Sequence, residues 1–115
     1  VADGHTRAGG TTYVYRFDWE APGIGAAHAV DVPFTFGTFD RDGWGDAVGA
    51  DARAESLSAD LRAAWLAFAH TGDPSHPGIG TWPAHDPEVR PTLLFASPCR
   101  VESDPDGAAR AVWGP

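Results

Sequence analysis

One histidine, His28, stands among small residues in the run Gly25-Ala-Ala-His-Ala-Val-Asp-Val-Pro-Phe-Thr-Phe-Gly37. An imidazole titrates near neutral pH and both accepts and donates a proton, so it suits general acid–base work. Ala27 and Ala29 on either side leave room for a substrate and for a partner side chain. A carboxylate follows three residues later at Asp31. That spacing within one loop is an unusual origin for the acid that orients an imidazole, so Asp31 is expected to hold the loop's own amides instead.

A nucleophile is harder to find. The serines are Ser56, Ser58, Ser75, Ser97 and Ser103, and none lies in Gly-x-Ser-x-Gly, the sharp turn that exposes a hydroxyl. No His-Gly-Gly-Gly stretch offers an oxyanion hole. Cys99 is the single cysteine, so no intrachain disulfide forms. Nothing near it in sequence stabilises a thiolate, and it reads as a small apolar residue at the start of a strand. His70, His76 and His85 are spread over a helix end and a Pro-rich loop without paired zinc-ligand spacing, and His5 lies far from them. Surface positions are expected for all of these. The stretch Asp40-Arg-Asp-Gly-Trp-Gly-Asp46 lacks the terminal bidentate Glu of a calcium loop and reads as an ordinary solvated loop.

The 115 residues carry 16 acidic side chains against 8 basic ones, all of them Arg, for a formal charge of -8. No basic patch is visible, which argues against a nucleic-acid partner. No apolar run is long enough to span a bilayer. The compartment stays open. The chain has no Met, so it is expected to be processed or to be a piece of something longer.

Residues 1–10 are polar and Gly-rich and read as a loop or ragged terminus. From Thr12 to Trp19 the sequence alternates, with Tyr13, Tyr15, Phe17 and Trp19 on one face and Val14, Arg16 and Asp18 on the other, which predicts a strand. His28 then sits at the far end of a loop. Val32–Phe36, broken by Pro33, is too short for a helix or a central strand, and Thr38–Asp46 reads as loop. Asp51–Thr71 is the clear helix, with Asp51 as its candidate cap, Ser56 as a later alternative, and Gly72-Asp-Pro74 as its stop. Its stripe Leu57, Leu61, Trp65, Phe68 is expected to be core. A long loop over residues 73–91 is expected to be anchored by Trp82. Thr92–Ala96 and Arg100–Ser103 read as short strands about a Ser97-Pro98 turn, with a final short helix over Gly107–Trp113. So thin an α/β layer buries a marginal core by itself. Its aromatic strand face needs a cover.

Five stretches, in order, carry a resemblance. They are Tyr13-Val-Tyr-Arg-Phe-Asp-Trp19, the His28 run ending in Phe34-Thr-Phe-Gly37, Ala64-Trp-Leu-Ala-Phe-Ala-His-Thr-Gly-Asp-Pro74 with Thr81-Trp-Pro-Ala-His-Asp-Pro87, and Val101-Glu-Ser-Asp-Pro105. Together they resemble the C-terminal segment of the type-B carboxylesterases, the family of the bacterial para-nitrobenzyl esterases and the cholinesterases. The resemblance runs from about Gly10 to Trp113. Asp31 stands where the family usually has Glu, and His85 where it usually has Tyr.

The resemblance implies that residues 1–115 are the C-terminal part of a single α/β-hydrolase catalytic domain. His28 would be its catalytic histidine, with the serine, the acid and the oxyanion hole upstream. It implies carboxylic ester hydrolysis with no metal or organic cofactor, a small-molecule ester as substrate, and the upstream part of the same fold as partner. By itself the chain is expected to be inactive and to self-associate. The competing readings are a non-enzymatic, cholinesterase-like interaction module and a small independent binding domain using the aromatic face.

Overall fold

The structure is a computed structural model and describes residues 1–113; the last two residues of the expected domain lie outside the described residues. Its centre is a three-stranded sheet of order β1-β2-β3, made of β1 (Tyr15–Phe17), β2 (Pro91–Phe95) and β3 (Arg100–Ser103). β1 runs parallel to β2 with Tyr15 opposite Leu93 and Phe17 opposite Phe95, and β3 returns antiparallel with Val101 opposite Leu93. Every residue of β2 is buried, as expected for a central strand covered on both faces. β1 is shorter than the alternation predicts because it has a partner on one side only. Ladder contacts still reach Val14, whose carbonyl accepts from the Leu93 amide, and Asp18, whose amide donates to the Phe95 carbonyl.

The alternation itself holds. Tyr15, Phe17 and Trp19 turn their rings to the core, where Tyr15 meets Phe95 and Phe17 and Trp19 meet Phe34. On the opposite face Arg16 pairs with Asp18 and Asp106. The long helix covers the aromatic face from Ala52 to Thr71. Asp51 accepts hydrogen bonds from the Arg53 and Ala54 amides, and Gly72 ends the helix at φ 80°. The expected stripe is half right. Leu57 and Leu61 are buried together with Ala54, Ser58 and Ala64, but Trp65 is 48% exposed and Phe68 44%. The cause is sheet width: among the described residues no further strand pairs with β1, so Trp65 and Phe68 meet only Tyr15 and Tyr13 at the sheet edge.

Three further helices replace expected loops. The long helix is the fourth in chain order, α4, after α1 (Ala2–Arg7), α2 (Val32–Phe36) and α3 (Trp44–Val48), and the expected terminal helix follows as α5 (Gly107–Ala111). In α2 the proline sits at the first turn, where its missing amide costs nothing, and Gly37 closes the helix at φ 63°. α3 occupies part of the expected acidic loop, and no group of three metal-binding side chains gathers there or elsewhere among the described residues.

α1 has no side-chain cap and no buried residue. What holds it is distant in sequence. Asp3 accepts from His85 Nε2 at 2.8 Å and from both terminal nitrogens of Arg90. His85 is therefore no surface histidine; its side chain is 4% exposed, and Nδ1 has no partner among the described residues. Arg90 first and His85 second hold the Asp3 carboxyl down at about 2, against an ordinary 3.8. A lowered carboxyl pKa stabilises above the unfolded value and loses that contribution as pH falls towards the folded one. Docking of α1 is thus expected to be intact above about pH 4 and lost between about pH 4 and pH 2. Hydrogen exchange of the α1 amides should show that loss, and Asp3→Asn should abolish the pH dependence in this window.

Candidate active site

His28 lies at the tip of a clamped loop between β1 and α2. On the entry side, Trp19 is buried and donates its indole N–H to the Val48 carbonyl at 2.8 Å. Ala21 is buried and pairs with Gly25 in an isolated antiparallel bridge. On the exit side, Val30 is buried, and Pro33 and Phe34 follow as the buried residues of α2. Between these anchors His28 is exposed and makes no hydrogen bond among the described residues.

The backbone at the tip is strained. Ala29, the residue after His28, has φ 69°, the left-handed region that side-chain-bearing residues adopt at a cost of about 1–2 kcal/mol. Two turn bonds over-determine it, from the Val30 amide to the Ala27 carbonyl at 3.3 Å and from the Val32 amide to the Ala29 carbonyl at 3.1 Å. Such strain concentrates where a side chain must be held at a fixed angle. Sequence reasoning had no way to find it, since alanine carries no signal for a left-handed residue.

Asp31 does not hold the loop amides. Its carboxylate makes no hydrogen bond among the described residues; its carbonyl accepts from the Thr35 amide at 2.9 Å and from the Thr35 hydroxyl at 3.0 Å. The carboxylate charge acts on Tyr15, whose phenol is pushed above its ordinary value by burial first and by Asp31 second. Asp31 and His28 share no hydrogen bond.

No serine joins His28 either. Ser58 is wholly buried and donates to the Phe34 carbonyl, while the Ser75 hydroxyl accepts from the Trp82 amide. Burial raises the Cys99 thiol, and the thiol points at the Ala96 carbonyl, so Cys99 is no nucleophile. His76 is committed as well, with one ring nitrogen on the Asp60 carbonyl and the other accepting from the Gly78 amide. A cavity of about 230 Å³ lies elsewhere, between α4 and the outer side of β1, lined by Tyr13, Tyr15, Trp65, Phe68 and Trp82. His28 is not part of it. Among the described residues the arrangement is an exposed imidazole without a hydrogen-bond partner, on a loop anchored at both ends by buried residues.

The carboxylesterase family model matches residues 1–113. The chain belongs to the carboxylesterase family. It is 38% identical over 103 residues to the para-nitrobenzyl esterase of Bacillus subtilis, covering 85% of this chain and 20% of that protein. It is also 38% identical over 87 residues to the phenmedipham hydrolase of Pseudarthrobacter oxydans, covering 65% of this chain and 17% of that protein. Among solved structures, the Geobacillus stearothermophilus carboxylesterase matches with a TM-score of 0.84 at 37% identity, over 97% of this chain and 24% of that one. The chain therefore spans about a fifth of the length of the curated relatives it matches.

Proposed function

We propose that this chain is the C-terminal part of a single α/β-hydrolase catalytic domain and contributes the histidine of a serine carboxylesterase. In the complete site a serine from the upstream part attacks the ester carbonyl. His28 takes the serine proton and passes it to the departing alcohol. It then takes a proton from the water that attacks the acyl-serine and returns it to the serine oxygen as the acid leaves. Upstream backbone amides hold the oxyanion, and an upstream carboxylate orients the imidazole. The observation that carries this reading is the exposed His28, without a hydrogen-bond partner among the described residues, on a strained and doubly anchored loop in a chain that matches the carboxylesterase family from end to end of its described residues.

The shape of the molecule supports an upstream partner. Its radius of gyration is 15.0 Å, against about 13 Å for a compact domain of this length. It is a slab only 21 Å thick in its shortest dimension. It exposes 7058 Å², while a folded monomer of 12.1 kDa exposes about 6000 Å². The excess is about the size of one partner's share of a specific interface, and exposed apolar side chains, among them Ile24, Phe36, Trp65 and Phe68, are available to a partner.

The test has two arms. The chain alone should hydrolyse para-nitrophenyl acetate only at background and should sediment as a dimer or larger. Joined to the Bacillus subtilis para-nitrobenzyl esterase in place of the matching stretch, it should support hydrolysis. Activity of the lone chain that disappears in His28→Ala would place a whole site on these residues and sink the proposal. So would a folded but inactive graft. A clean monomer would remove the docking face.

A further inference from the structure

We propose that Ser58 is a positioning residue for His28, a role that rests on the reading of His28 as general base. The last carbonyls of a helix have no amide partners within it. At the end of α2 the Gly37 and Thr38 amides both turn to the Pro33 carbonyl, which passes over Phe34. The Phe34 carbonyl is left inside the core. Ser58, wholly buried on α4, donates its hydroxyl to that carbonyl at 2.7 Å.

This bond fixes more than one carbonyl. α2 is five residues long and holds its own shape weakly. Beside Phe34, Thr35 donates to the Asp31 carbonyl through its amide and its hydroxyl, and the next residue in the chain after Asp31, Val32, donates its amide to the Ala29 carbonyl. Ala29 adjoins His28. The imidazole makes no hydrogen bond of its own among the described residues, so its position is inherited from this run. Ser58 adds a side-chain hydrogen bond that ties the end of α2 to the long helix, beside the packing of Phe34 in the same core as Leu57 and Leu61. Without the hydroxyl, α2 can relieve its bare carbonyl only by shifting or by admitting water, and either movement carries the His28 tip with it.

The measurement uses the grafted Bacillus subtilis esterase, with kcat expressed per active site counted by burst titration. Ser58→Ala should lower kcat about tenfold with KM unchanged, and Ser58→Thr, which keeps the hydroxyl, should restore it to within about twofold. Leu57→Ala, a core truncation on the same helix, should lower the melting temperature and leave kcat per site alone. The proposal fails if Ser58→Ala keeps full kcat, if Ser58→Thr is as impaired as Ser58→Ala, or if Leu57→Ala loses kcat equally. Should Ser58→Ala not fold, Ser58→Cys, nearly the same shape with a weaker donor, must show the same kcat loss, and full kcat there overturns the role. His28→Ala in the same graft separates the two proposals: if it stays active, the base assignment fails, whatever Ser58 does.

Discussion

His28→Ala in the grafted esterase should lower kcat by about 10⁴- to 10⁶-fold while leaving the melting temperature unchanged. The size follows from the role. A serine hydroxyl is a weak nucleophile until a base removes its proton, and the leaving alcohol needs that proton back, so one imidazole serves both transfers. The unchanged stability follows from the place. His28 is exposed and unbonded among the described residues, and surface substitutions away from packing usually stay within about 0.5 kcal/mol. Steady-state hydrolysis and a thermal melt on one preparation are sufficient. A loss below tenfold would mean that the base lies elsewhere, and a melting point that fell with the rate would mean that His28 supports the fold.

Phe34→Ala should do the opposite, lowering stability by about 3–5 kcal/mol and disordering the His28 loop as a consequence. Phe34 has no exposed surface. Its ring meets Phe17 at 5.0 Å, Trp19 at 5.2 Å and Phe39 at 5.0 Å between centroids. These neighbours come from β1, from the entry side of the His28 loop and from the turn beyond α2. The cavity left by truncation cannot close without moving at least one of them. Total stabilities of domains are only about 5–15 kcal/mol, so the variant should stand near its folding threshold. A urea titration of the graft should show a lower midpoint, and activity should fall in proportion to the folded fraction. A midpoint shift worth under about 1 kcal/mol would show that the site collapses around the gap.

These two residues also mark how far the sequence could be read. The aromatic alternation of β1, the Asp51 cap, the Gly72 stop and both later strands were legible because each rests on local chemistry: a period, a capping carboxylate, a left-handed glycine. α1, α2 and α3 were not. They are five or six residues long, too short for a period to show, and α1 is held through Asp3 by a hydrogen bond to His85, 82 residues away, and an ion pair with Arg90, 87 residues away. His85 looked like a loop histidine because nothing beside it in sequence announces Asp3. The Trp65 and Phe68 stripe looked like core because a helical period shows which residues share a face, not whether the sheet beneath is wide enough to cover it.

The sequence by itself determined which family the chain falls in and singled out His28 as the candidate for proton chemistry, since both readings rest on residue identity and order. It also showed that no nucleophile motif accompanies His28, for the same reason. The tertiary structure decided how that histidine is held. The left-handed Ala29, the buried Val30 and Phe34, and the hydroxyl of Ser58 on the Phe34 carbonyl fix a side chain that makes no bond of its own among the described residues. Ser58 lies 24 residues from Phe34. A contact of that kind has no local signature, because the buried carbonyl that needs a donor exists only once the helix ends have been packed together.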